Sequence, residues 1–185
     1  IGGLLLFTMA ATAQDAKYWV GGSGDWSDAA HWALSSHGAG GAGAPRASES
    51  AWIIGQGDRT VHIDGNVRCM DLVIDATHGA LVIDGPASAK LELGGGLRAD
   101  GNVDWTFPGD IEFTNDHGGT IQLSPHGIGI ASNIILNGSA IWEMSSALVL
   151  RDNASLTLKK GTLRLFDGVL QAGSLRTEGR ARKRI

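Results

Sequence analysis

Between residues 51 and 177 the centres of short candidate strands recur about every seven to ten residues, and turn signals cut the chain among them. The cuts fall at Asp64-Gly65-Asn66, Asp84-Gly85-Pro86, Asp100-Gly101-Asn102, Asn137-Gly138, Asp152-Asn153, Lys160-Gly161 and Asp167-Gly168. Glycine admits positive φ, and Asn and Asp side chains close turns on their own backbone, so such pairs end regular structure. What lies between them alternates apolar with other residues at period two, as in Leu148-Val149-Leu150, Leu156-Thr157-Leu158 and Leu163-Arg164-Leu165. The pattern predicts strands at 51–54, 60–63, 70–74, 80–83, 90–93, 103–107, 111–114, 120–123, 133–136, 140–143, 147–150, 155–158, 162–165, 169–172 and 174–177, and no helix of useful length.

Strands this short are unusual for a β-sandwich, which is the alternative arrangement. Polar or glycine corners around one inward apolar stripe fit a single-chain parallel β-solenoid better. About three strands per coil gives a coil of about 20–25 residues. The expected class is therefore all-β, a β-helix covering 51–177.

Ahead of it stands Tyr18-Trp19-Val20-Gly21-Gly22-Ser23-Gly24-Asp25-Trp26-Ser27-Asp28-Ala29-Ala30-His31-Trp32. Glycine at that density suits neither a helix nor a plain strand. The stretch reads as a compact aromatic plug for the open end of the stack. Residues 14–50 are thus a Trp/Gly-rich cap with the surface loop 34–50. Before them, Leu4-Leu5-Leu6-Phe7 followed by Ala11-Thr12-Ala13 matches the apolar core and cleavage triplet of a secretory signal peptide over 1–13, lacking the start of such a segment. The apolar run is too short to span a bilayer, and nothing else in the sequence reads as a transmembrane helix.

Composition agrees with export. There are 28 glycines in 185 residues and only 18% charged residues, a balance that fits an extracellular all-β chain rather than a cytosolic enzyme. The single Cys69 cannot form an intrachain disulfide, so packing and backbone hydrogen bonds must hold the fold. Residues 176–185 hold five basic residues against one acid, which leaves −8 on the rest of a chain whose total is −4. An acidic body argues against nucleic acid as the main partner. The tail 178–185 is too short and polar to plug a core. The complete chain is therefore expected to continue into further coils, and these 185 residues alone to associate end to end.

These residues resemble the opening of large secreted, cell-surface β-helical proteins of gliding Gram-negative bacteria, exported by the type IX route. In that family an aromatic-Trp-Val-Gly-Gly-x-Gly-x-Trp-Ser-Asp-x-x-His-Trp motif follows the signal peptide. A Gly-Gly-Ala-x-x-Pro loop comes next, here Gly40 to Pro45, and then an extended segment matched by Thr60 to Leu72. Ile54 stands where the family has an acid. The resemblance implies a secreted or surface-displayed adhesin-like repeat protein that continues to a C-terminal sorting domain. It supplies no ligand and no catalytic residue.

Candidate chemistry is sparse. Trp19, Trp26 and Trp32, with Asp28 and His31, are the candidate site. They form either a structural cap, with Asp25, Asp28 and His31 satisfying indole or backbone donors, or a sugar-stacking platform. The Asp corners suggest Ca²⁺, but no Gly-Gly-x-Gly-x-Asp repeat or EF-hand spacing is present, and turn chemistry explains them. No cofactor is implied. His62, His78, His117 and His126 are scattered singly, without zinc spacing. Asp104, Asp110, Glu112 and Asp116 are the only candidates for a glycosidase-like acid pair. Cys69 reads as a small core residue. The expected function is a non-enzymatic structural or adhesion module that meets extracellular glycans or surface proteins. The alternative is a carbohydrate-active β-helix, either a polysaccharide lyase or hydrolase or a glycan-binding module. A cluster of carboxylates with Arg or Lys on one face would distinguish the two.

Overall fold

A computed structural model describes residues 15–55, 57–115, 120–124, 126–165, 169–178 and 182–183. Residues 1–13, where a signal peptide is expected, Asp116 and His117 lie outside the described residues.

The strands wind into a parallel β-solenoid with three faces. The first face carries Ala16–Trp19, Ser50–Ile54, the leading halves of Leu72–Asp84 and Leu97–Trp105, then Thr120–Ser124, Ile141–Met144, Thr162–Leu165 and Arg182–Lys183. The second carries Gly24–Asp25, Arg59–His62, the trailing halves of the same two long strands, Gly129–Ile130, Leu148–Leu150 and Leu170–Gln171. The third is a separate six-stranded sheet from Val67–Cys69 to Ser174–Thr177, so five full turns separate its ends. Every pairing but one among the described residues is parallel, which excludes the sandwich.

Register follows the apolar period. On the third face Val67, Leu91, Ile111, Ile134, Leu156 and Leu175 form one column, with partners 19 to 24 residues apart. Cys69, Leu93, Phe113, Leu136 and Leu158 form the next and are all buried. Opposite them, Val61, Ile83, Trp105, Ile130 and Leu150 close the core from the second face. Parallel stacking sets each inward side chain about 4.8 Å above its partner, which makes the core continuous along the axis.

Two sequence expectations need correction. The strands expected at 70–74 and 80–83 are one strand, Leu72–Asp84, whose register against Leu97–Trp105 slips at Ala76 and Ala80. A bulge there lets the chain turn the corner without breaking the ladder. The solenoid also begins within 14–50, because Ala16–Trp19 pairs in parallel with Ser50–Ile54, and Gly24–Asp25 with Arg59–His62. The glycine-dense stretch starts only at Gly21, so Ala16–Trp19 ahead of it is free to pair, and within it only the two residues Gly24–Asp25 pair in parallel. At the other end, Arg182–Lys183 within the basic tail adds a short parallel strand to Thr162–Leu165.

Candidate functional site

The cap is built by a reversal. After Gly24–Asp25 the chain passes Trp26, makes the short 3₁₀ turn Ala29–His31, and returns as Trp32–Ala33 antiparallel to Ala16–Trp19. That strand takes the outer edge of the first face, which would otherwise present unpaired N–H and C=O groups. Asp28 caps the 3₁₀ turn, accepting from the Ala30 N–H at 2.9 Å. Gly40 N and C atoms pass so close that a Cβ there would sit 1.8 Å from the Ala30 carbonyl oxygen, so the return loop needs glycine at this point.

Three tryptophans fill the layer. Trp32 meets Trp19 and Trp26 edge to face, with centroids 5.2 and 5.0 Å away. The Trp32 indole N–H donates to the Trp26 carbonyl at 2.7 Å and that of Trp19 to the Gly22 carbonyl at 3.0 Å. The His31 ring stacks on Trp19 at 4.7 Å, and its Nδ1 lies 3.1 Å from the Val20 carbonyl. Backbone carbonyls, not Asp25 or Asp28, receive the indole donors of Trp19 and Trp32, while Asp28 serves the backbone donor of Ala30. Trp19, Trp26 and Trp32 are 3%, 1% and 0% exposed. None presents a ring face to solvent, so the sugar-stacking platform is not at these three residues. The cap is tied to the next coil where Asp64 accepts from the N–H and hydroxyl of Ser27. Burial opposes ionisation of Asp64, but those hydrogen bonds outweigh it and hold its carboxyl below the usual range.

The three described acid candidates, Asp104, Asp110 and Glu112, do not converge. Asp104 lies on the second face, 3.0 Å from Arg151. Asp110 and Glu112 lie on the third, within a ladder that runs from coil to coil. Glu92 stands in register beside Glu112, a like-charge neighbour that would repel. Lys90 resolves it, reaching Glu112 at 2.8 Å and Glu92 at 3.6 Å. Asn137 donates to the other Glu112 oxygen, and Asn133 to Asp110. Asn133 in turn accepts from the N–H and hydroxyl of Ser155. The Lys90 hydrogen bond, helped by Asn137, holds the Glu112 carboxyl below its usual range, and the same bond raises Lys90. The pair thus favours a carboxylate and an ammonium.

The sign of the pH effect follows. Glu112 contributes stability above the ordinary carboxyl range near about 4.3 and loses it as pH falls through its lowered folded value. Lys90 contributes below about 10.4 and loses it as pH rises through its raised one. Glu112→Gln should therefore lower the Tm at about pH 7 and converge on the wild type near about pH 3. Calorimetric melts across that range test this; an unchanged gap at both ends would show that the ladder charge contributes nothing.

Several acids near the corners are occupied by backbone donors, from their own turn or from the next coil. Asp58 accepts from Ala80, Asp71 from Gly96, Asp75 from Thr77 and Asp100 from Gly101. Among the described residues no three His, Cys, Asp or Glu side chains converge as a metal site. His62 pairs with Asp84 at 2.8 Å, and His126 lies against the Ala99 carbonyl. Cys69 is buried in the core, which pushes its thiol far above the usual range. No helix among the described residues is long and apolar enough to cross a membrane.

Two surface features were not singled out from sequence. Five of the six tryptophans are buried; the sixth, Trp52, faces outward beside Tyr18 on the neighbouring strand, ring centroids 5.8 Å apart. The strand phase contains the signal: Ala51 and Ile53 point inward, so Trp52 and Ile54 point out. The second is an open cleft of about 700 Å³ where the first face turns into the second, below the cap. Trp19, Ile54, Arg59, His37 and His78 line it.

No family model, curated protein or solved structure matches the chain.

Proposed function

We propose that this chain is a non-enzymatic, secreted or surface-displayed β-solenoid module with a structural or adhesive role. The observation that carries this reading is the closed ladder around Lys90, Glu92 and Glu112. It is a carboxylate and lysine cluster on one face, the feature that would mark a lyase or hydrolase. Its members are nonetheless committed to each other, with the carboxyl held ionised and the amine protonated. A lowered carboxyl pKa makes Glu112 a weaker base and a raised ammonium pKa makes Lys90 a weaker acid, both moved away from working pH, so this pairing opposes both roles. Export rests on the Ala11-Thr12-Ala13 triplet and on the resemblance of the Trp/Gly stretch to surface proteins. Incubating the protein with a polysaccharide panel and measuring reducing ends and unsaturated uronates tests the reading. No release above background is expected; release that disappears in Lys90→Met would overturn it.

A second, compatible reading is glycan binding, favoured by Tyr18 and Trp52. Aromatic faces on adjacent strands offer apolar area with polar edges, which suits a sugar ring. Trp52→Ala should abolish any glycan-array signal while lowering the Tm far less than Trp26→Ala, since it truncates a half-buried side chain outside the core. An array signal unchanged by the substitution would remove Trp52 from the site.

A further inference from the structure

Arg59 is out of place for a solenoid. Its register partners in the next two coils are Leu81 and then Val103, so it occupies a position that points toward the core. It is only 8% exposed, and Arg is seldom buried this far without a reason. Burial draws its pKa down from the ordinary value, yet a guanidinium stays protonated at any physiological pH. This charge opens into the cleft below the cap.

The cleft is assembled by backbone constraints from three segments. The 55–59 corner uses Gly55 and Gly57 at φ 132° and 88°, and Arg59 reaches back to the Gly55 carbonyl. The Gly57 N–H donates to the His78 carbonyl, and a Cβ on Gly79 would meet the Gly57 backbone at 2.5 Å, so the His78 bulge sits directly against the corner. His37 comes from the cap loop, next to Ser36 and Gly38. The described lining thus holds one guanidinium and two imidazoles and no carboxylate. About 700 Å³ falls within the span of small-molecule sites.

The surroundings suggest what carries the anion. Trp52 and Ile54 are successive outward residues of one strand, about 7 Å apart, and Ile54 lines the cleft. The Tyr18 and Trp52 surface therefore runs along the strand into the cationic cleft. The net charge of −4 opposes an acidic ligand in bulk, but exposed charges beyond about 8 Å are largely screened, while the guanidinium acts at contact.

We propose that the Arg59, His37 and His78 cleft binds the carboxylate or sulfate of an acidic saccharide whose neighbouring ring lies on Trp52 and Tyr18. The ring placement rests on the glycan-binding reading; the anion site rests on the cleft alone. A guanidinium pairs with either oxyanion through parallel N–H donors, so both share one chemistry.

Calorimetric titration of the whole chain with trigalacturonate, its methyl-ester counterpart and inorganic sulfate separates the parts. Trigalacturonate should bind about tenfold or more tightly than the neutral ester, and weaken as salt rises. Sulfate alone should compete with it if the cleft supplies the selectivity. Arg59→Met should erase the preference for acid. Because Arg59 is buried, the exposed pair His37→Ala and His78→Ala provides a second test and should reduce the preference without moving the Tm. Equal binding of acid and ester would overturn the anion site while leaving the aromatic reading intact. Acid-selective binding unaffected by Trp52→Ala would support the cleft and remove the ring platform. No binding by any of the three probes, or selectivity unchanged in both cleft variants, would overturn the proposal.

Discussion

Trp26→Ala is expected to destabilise the protein by about 3–5 kcal/mol, the usual cost of truncating a fully buried aromatic. Trp26 is 1% exposed, packs edge to face on Trp32 at 5.0 Å, and its backbone N–H donates to the His62 carbonyl at 2.7 Å. Its carbonyl is also the acceptor for the Trp32 indole. The residue links the cap to the next coil through backbone and fills the layer with its ring, so the lost ring leaves a cavity that the fixed backbone cannot close. The indole N–H of Trp26, by contrast, has no hydrogen-bond partner among the described residues. Trp26→Phe should therefore cost far less than Trp32→Phe, which leaves the Trp26 carbonyl without that donor. Denaturant melts of the three variants check this. Equal losses for the two Phe variants would show that ring volume, and not the hydrogen bond, decides the layer.

Ser132→Ala should cost about 1–3 kcal/mol, although it removes one oxygen atom. Ser132 is fully buried among apolar residues. Its hydroxyl accepts from the Trp105 indole at 3.0 Å and donates to the Phe107 carbonyl at 2.7 Å, a relay through the middle of the core. Alanine leaves a buried donor without its partner, and that penalty exceeds the small gain in apolar contact. Replacing Trp105 by Phe in the same background should recover part of the loss, because the donor disappears too. A double-mutant cycle by denaturant melt measures the coupling; additive losses would mean that the relay is energetically idle.

Much of the third face was legible because its signal is local: 90–93, 155–158 and 174–177 emerge as strands with the bounds expected from alternation alone, as does 162–165 on the first face. Where alternation is carried by small residues it fails. Leu97–Trp105 begins with Leu97 and Ala99 inward, and an alanine beside Asp100 and Gly101 looks like a turn rather than a core position. The Gly129–Ile130 strand is too short to show any period. Arg59 was illegible for a different reason. A lone arginine ahead of Thr60 reads as a solvated corner, and only the register with Leu81 reveals that the inward column continues through it. The clustered tryptophans drew attention by number, while Trp52, alone in its strand, was the one left at the surface.

The reversed strand Trp32–Ala33 makes the two ends of the stack mechanically unequal. Among the described residues all other neighbours are joined by parallel ladders that can open one after another, but the first is clamped between an antiparallel strand and the coil below it. Tension applied through the far end would peel the stack from that end, each coil failing before the next is loaded. A coil of 21 residues, as from Ile141 to Thr162, releases about 70 Å of extended chain. A protein built this way gives under load in steps of nearly constant length, and its cap is the last part to yield.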